Sequence, residues 1–225
     1  MSPILKLSAG LMLLLSACQN DPKPASSAAA APAPDTIRQT PASLEGAQTY
    51  TITEGVVNWM GKKSVGDAHY GTIGFKNGGQ IKVNNGQIVG GAITLDMSTV
   101  QVLDIKDPGE KKDLEAHLKD ADFFEVDKFP YATFTIEEVF PTTNTPDFNA
   151  IVIGNLSMKG KSNSVNIPIK LNINPIELNV VSATFPINRT DWGVNFRSGI
   201  LGTVKDKLIE DTVPLSLTLK AKLSN

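Results

Sequence analysis

An all-β fold, an antiparallel barrel of about eight strands carrying one short helical insertion, is what this 225-residue chain predicts. Three observations carry the prediction. Apolar residues recur with period two through most of the chain, glycine- and asparagine-rich turns separate the runs, and a single segment switches to helical signals.

The strands are clearest late in the chain. Val165, Ile167, Ile169, Leu171 and Ile173 alternate with Asn166, Pro168, Lys170 and Asn172. Val213, Leu215, Leu217, Leu219, Ala221 and Leu223 alternate with Pro214, Ser216, Thr218, Lys220 and Lys222. One apolar face and one wet face mark a half-buried strand. Shorter runs repeat the pattern at Ile73 and Phe75, Ile81 and Val83, Ile93 to Met97, Phe134 and Ile136, Leu156 and Met158, and Phe185 and Ile187, for roughly eight to ten strands in all. Asn77-Gly78-Gly79, Asn85-Gly86 and Lys159-Gly160-Lys161-Ser162 predict tight reversals, because glycine and asparagine accept positive φ; consecutive hairpins make a meander. Pro168 and Pro214 fall inside strand patterns, which predicts that each turns its missing N–H away from a ladder, at an edge or bulge.

The exception begins at Asp107-Pro108-Gly109-Glu110, an N-cap with proline at the first helical position and early acid. Leu114 and Leu118 lie four apart, so a short helix follows, with a second turn near Asp122 to Val126. One helical excursion in a meander is the layout of a closed barrel with a lid or plug at one end. The interior of an eight-stranded barrel is filled by side chains or holds one small ligand, and alternation does not choose between them.

The amino end carries an address. Lys6 precedes an apolar run from Leu7 to Leu15 that closes on Ser16 and Ala17, far short of the ~20 residues that cross a bilayer as a helix. Residues 1–17 are expected to be an export signal. Leu15-Ser16-Ala17-Cys18 resembles a bacterial lipobox, which implies that Cys18, the single cysteine, is acylated and becomes the first mature residue. Gln19 in place of an aspartate resembles the sorting signal for the outer membrane. Residues 18–46, rich in proline, alanine and serine, read as an extended linker, and 47–225 as the barrel.

Composition removes other classes. With 41% apolar and 20% charged residues the chain buries a core and is not disordered. A net charge of -2 lacks the basic footprint of a nucleic-acid binder. One cysteine allows neither an internal disulfide nor a multi-cysteine zinc site.

Residues 117–136, HLKDADFFEVDKFPYATFTI, resemble the YceI family of bacterial periplasmic and lipid-anchored proteins. Gly154-Asn155-Leu156-Ser157-Met158-Lys159-Gly160 is similar to that family's glycine-bounded hairpin, and Arg189-Thr190-Asp191-Trp192-Gly193 to its arginine–aspartate–aromatic–glycine step. The resemblance runs from about Tyr50 to Leu223 and implies a lipocalin-like barrel whose interior holds a polyisoprenoid or quinone-like lipid. Trp59-Met60-Gly61-Lys62-Lys63 and Ala68-His69-Tyr70-Gly71 depart from the family's usual His-Ser strand, as in a lipoprotein branch.

Burying isoprene units at roughly 25 cal/mol per Å² supplies affinity without polar contacts. Trp59, Phe75, Phe123, Phe124, Phe129, Phe134 and Trp192 are the candidate lining or closing residues, each also readable as an ordinary core aromatic. Arg189 and Asp191, two apart, share a face if their strand continues. They form a structural ion pair, or Arg189 meets an anionic head group. Asp113 and His117, four apart on the helix, are a weak metal pair, and Asp120, Asp122, Glu125 and Asp127 lack calcium-loop spacing, so no metal and no cofactor beyond the lipid is expected. No nucleophile elbow or phosphate loop is present, and an enzyme is not expected. The alternative is a packed barrel serving adhesion or assembly without a ligand. Pairing of two barrels as a homodimer stays open.

Overall fold

The computed structural model describes residues 44–143 and 146–224, so residues 1–17, Cys18 and the linker up to 43 lie outside the described part. Eight strand tracks close into an antiparallel up-and-down barrel, each paired with its neighbours in chain order. They are β1 (Gln48–Lys62), the pair β2 (Ala68–Gly74) and β3 (Gln80–Asn84), β4 (Gln87–Asp96), β6 (Tyr131–Pro141), β7 (Ala150–Met158), β8 (Lys161–Ile173), the pair β9 (Glu177–Ser182) and β10 (Phe185–Asn188), and β11 (Thr212–Leu223). Pairing of β11 with β1, Tyr50 opposite Leu223 through Trp59 opposite Leu215, closes the ring. A short β5 (Gln101–Val102) adds to the outer edge of β2.

Two tracks are broken strands. β3 pairs with the first half of β1 and β2 with the second, both antiparallel, so Asn77-Gly78-Gly79 does not reverse the chain. That expected hairpin is instead a kink within one strand, bridged by Gly79 C=O accepting from Ile52 N–H and Thr94 C=O accepting from Lys76 N–H. The other break, at Ala183-Thr184, leaves Leu217 N–H facing a gap, and the buried Ser182 hydroxyl accepts it at 2.8 Å. Pro168 sits where the β8–β9 ladder ends at Ile169 opposite Ser182, so its missing donor faces the gap. Pro214 faces Pro186 across β10 and β11.

Asn85-Gly86 (φ 50° and 75°) and Lys159-Gly160 (φ 49° and 73°) are two-residue hairpin turns, as their residues predict. A bulge at Thr53 shifts the inward row of β1 from Tyr50 and Ile52 to Val57 and Trp59, because one extra residue flips side-chain parity.

Helix α1 (Pro108–Lys119) begins as its residues dictate: Asp107 Oδ1 accepts from Gly109 N–H (2.8 Å) and Glu110 N–H (2.9 Å). It buries Leu118, with Leu114 packed beside it, and Glu115 Oε1 caps Val102 N–H of β5 at 2.9 Å. The turns from Ala121 to Lys128 follow, with Glu125 in the left-handed region at φ 50°. The excursion and the 189–211 connection both lie at the end of the barrel where β4 finishes, called here the helix end. The opposite, far end is filled by Tyr50, Ile81, Leu178 and Ala221, each at most 1% exposed.

Candidate functional site

Inward-facing residues of all eight tracks leave a narrow apolar cavity of about 80 Å³ along the barrel axis. Eighteen residues line it, every one aliphatic or phenylalanine, from Val57 on β1 through Phe75, Leu95, Phe134, Val152, Ile167 and Phe185 to Leu217. Its wall is set by close approaches. Phe75 lies over Gly55, where any side chain would collide with its ring. Gly71 leaves room for the Gln101 carbonyl and the Trp59 ring. Two residues beyond Val57 on the same face of β1, Trp59 enters a second chamber of about 270 Å³ at the helix end. Leu114, His117, Leu118 and Phe123 from the excursion, His69 from β2, and Phe196, Arg197 and Ile209 from the 189–211 connection line it, with Gly61, Lys62, Lys63 and Asp67 at the end of β1 and the turn after it.

The chamber mixes aromatic and polar walls. The His117 ring stands edge-on to Phe123 at 5.0 Å and to Phe196 at 4.8 Å, while its Nε2 lies 3.2 Å from Asp122 Oδ2. The partner of His117 is therefore Asp122. His69 Nδ1 lies 2.8 Å from Asp104 Oδ2, and Asp104 Oδ1 accepts from Tyr70 N–H at 3.0 Å. Burial alone would raise the Asp104 carboxyl, but the Tyr70 amide and the His69 ring outweigh it and hold it below its ordinary value. Trp59 Nε1 is buried and has no hydrogen-bond partner among the described residues, and the same holds for Asn195 Oδ1. No three His, Cys, Asp or Glu side chains among the described residues are grouped to hold a metal ion.

Of the aromatic candidates, Phe75 and Phe134 line the axial cavity, and Trp59 and Phe123 line the chamber. Phe124, Phe129 and Trp192 line neither. Phe124 packs against the core from outside the cavities, Phe129 lies under the Lys159-Gly160 turn, and the buried Trp192 donates Nε1–H to Leu156 C=O at 2.8 Å. Arg189 is also elsewhere. The strand stops at Asn188 and a 3-10 turn capped by the Asn188 side chain follows, so Arg189 and Asp191 do not share a strand face.

At 4% exposure, the Arg189 guanidinium donates to the carbonyls of Val194 (2.7 Å), Ile209 (3.0 Å) and Glu210 (3.1 Å) and to Asp211 Oδ1 (2.9 Å). Its ion-pair partner is Asp211, not Asp191. Burial pushes the guanidinium below its usual pKa, against the opposing charge of Asp211. Two further residues had no sequence signal because their partners are distant in the chain. Ser198, fully buried, donates to Asp211 Oδ2 at 2.8 Å, and Lys159 Nζ donates to the carbonyls of Ala121 and Phe123, tying the excursion to the β7–β8 turn. Burial lowers the Lys159 pKa, with Glu125 opposing.

The model of the YceI-like domain matches residues 53–221, three quarters of the chain and all but the edges of the barrel. The chain belongs to the YceI-like family. No curated protein matches it. Among solved structures, this YceI-like barrel is similar to BcnA from Burkholderia cenocepacia, at 20% identity and a TM-score of 0.57, covering 74% of this chain and 96% of that one. It is also similar to a polyisoprenoid binding domain from Saccharophagus degradans, at 14% identity and a TM-score of 0.53, covering 79% of this chain and 99% of that one. At these identities the likeness is one of fold. The YceI-like match spans the axial cavity and the chamber together, so both belong to the family's domain.

Proposed function

We propose that this protein is a binding protein for an apolar chain lipid of the polyisoprenoid or quinone-like class, held along the barrel axis, and that it works in the cell envelope. The observation that carries the reading is the axial cavity, whose eighteen lining residues present essentially no polar atom. An apolar void keeps water out and leaves its wall atoms without contacts, and an apolar chain supplies those contacts. The polyisoprenoid binding domain with the same fold supports the ligand class. Phe75 and Phe134 are the proposed walls, and Trp59 and Phe123 stand where the lipid's leading end leaves the axis. The cavity is narrow, since an apolar site that admits benzene measures roughly 150 Å³. A chain of several isoprene units therefore enters by spreading side chains apart.

That narrowness favours one second reading, a packed barrel used for adhesion or assembly. Solvent extraction of the purified protein followed by mass spectrometry separates the two. Co-purified isoprenoid, or uptake of a polyprenol offered from detergent, is the expected result; clean protein that takes up none leaves the packed barrel. For the envelope, the apolar run closing on Leu15-Ser16-Ala17-Cys18 supports removal of residues 1–17 and acylation of Cys18. Residues 18–46 then form the tether, residues 47–225 the barrel, and Gln19 favours the outer membrane. Cys18→Ser should release the protein from membranes, and variant that still sediments with them speaks against the acyl anchor.

A further inference from the structure

The 189–211 connection has a buried root and a greasy tip. At the root, Arg189 gathers the carbonyls of Val194, Ile209 and Glu210, and Asp211 joins Arg189 to the fully buried Ser198. At the tip, two successive 3-10 turns present Ile200, Leu201 and Val204 at 66%, 64% and 61% exposure. Arg197, Lys205 and Lys207 flank them, against one acid, Asp206. Single exposed aliphatics are ordinary, but three within five residues, on a segment fixed at its base and ringed by cations, are not. The adjoining β1–β2 turn adds exposed Val65 and is joined to the loop through Ser64 N–H donating to Leu208 C=O. Arg197 and Ile209 of the same loop line the helix-end chamber.

We infer that this tip is a membrane-docking element: Ile200, Leu201 and Val204 enter the interface of an anionic bilayer while Arg197, Lys205 and Lys207 meet its head groups, bringing the chamber against the lipid. The chain as a whole is acidic, at -2, so the cations at this tip are a local feature that complements an anionic surface. A second copy fits poorly, because a two-fold interface would set the same three cations against themselves. The inference deepens the lipid-binding reading, since a ligand insoluble in water has to pass directly between bilayer and barrel.

The test uses the full chain with Cys18→Ser, in which Leu201→Cys or, at the far end, the 71% exposed Ile176→Cys supplies the only thiol for an environment-sensitive dye. Any amino-terminal tether is common to both chains. With equimolar phosphatidylcholine and phosphatidylglycerol vesicles, the label at 201 should shift to the blue and the label at 176 should not. Lys205→Glu with Lys207→Glu should weaken the response at 201 on the order of tenfold. A silent label at 201, or a response at 176 alone, overturns the docking element. So does a shift at 201 that follows protein concentration without vesicles, which would assign the face to a second copy. Docking at 201 in protein that takes up no polyprenol from detergent upholds the element while the ligand reading fails; uptake with a silent 201 does the reverse.

Discussion

At the far end of the barrel the chain turns between β3 and β4 on Asn85-Gly86 alone, and Tyr50, buried to 1% exposure, closes the interior with its hydroxyl donating to Asn174 C=O at 3.0 Å. At the helix end 34 residues separate β4 from β6 and 23 separate β10 from β11. Here lie the chamber, Trp59 of β1 with an Nε1 that has no partner among the described residues, and the exposed aliphatic tip. Both ends complete the same ladders, so the contrast is not one of strand pairing. The far end seals the interior with Tyr50; its own pocket, about 260 Å³ between Ile88, Val139, Asn149 and Ile173, holds no buried unpartnered polar side-chain atom among the described residues. The helix end has a chamber of similar size, about 270 Å³, but leaves one buried donor, Trp59 Nε1, and one acceptor, Asn195 Oδ1, without partners among the described residues, and depends on a few buried polar side chains to hold long connections in place. Binding sites on rigid scaffolds are commonly divided in this way.

Arg189→Met should give the largest effect. It removes donors from three carbonyls and leaves Asp211 with Ser198 alone; breaking a fully buried pair costs about 3–5 kcal/mol, an upper bound here because Asp211 is 26% exposed. The far-end counterpart, Tyr50→Phe, removes one hydrogen bond and should cost about 1 kcal/mol. Denaturant unfolding of both variants compares the ends directly. Equal losses would mean that the Arg189 network adds nothing beyond an ordinary hydrogen bond.

Next in size is Val152→Phe, which adds bulk inside the axial cavity and lies outside the helix-end chamber. Polyprenol uptake should fall about tenfold, equivalent to 1.4 kcal/mol, with a stability change under about 1.5 kcal/mol because the cavity absorbs part of the ring. Undiminished uptake would move the ligand away from the axis, toward the helix-end chamber.

Most of the barrel wall, the two hairpin turns and the start of α1 were legible in the sequence, and the long helix-end connections beyond that start were not. Alternation fixes which side chains of β8 and β11 point inward, since strand geometry leaves only two faces. The capping of α1 by Asp107 is equally local. Asn77-Gly78-Gly79 misled because its residues permit a reversal but do not require one, and the ladders to β1 prevail. Arg189 misled for a different reason. Its partners, Ile209, Glu210 and Asp211, lie twenty or more residues away on a connection with no periodicity, so proximity to Asp191 was the only pairing the sequence offered. Of the seven aromatic candidates, Phe75 and Phe134 proved to face the axis through strand parity, while Phe124, Phe129 and Trp192 sit on turns whose direction parity does not govern.

Trp59→Phe probes the helix end more gently. The indole carries a buried donor without a partner among the described residues, so its removal should be neutral or stabilising by about 1 kcal/mol, the opposite sign to Tyr50→Phe at the far end. Thermal melting checks the sign. A loss of stability would mean that the Nε1–H has an acceptor in solution, ordered water in the chamber being the first candidate, or that the packing of the lost ring outweighs the freed donor.

The smallest expected effect is a pH dependence at the helix end. Asp104 is held below its ordinary carboxyl pKa, so the folded state binds its proton less readily than the unfolded chain does. Its stabilising contribution is then complete above the unfolded value of about 3.9 and is lost as pH falls through the lower folded value. Asp104→Asn should therefore be less stable than the parent at neutral pH, with the difference closing in acid. Burial opposes the hydrogen bonds from Tyr70 and His69, which keeps the change small. A difference that instead widened in acid would mean that burial prevails over those hydrogen bonds, and the β2–β5 edge would then be held by packing of Val102 beneath α1 and not by the Asp104 carboxylate.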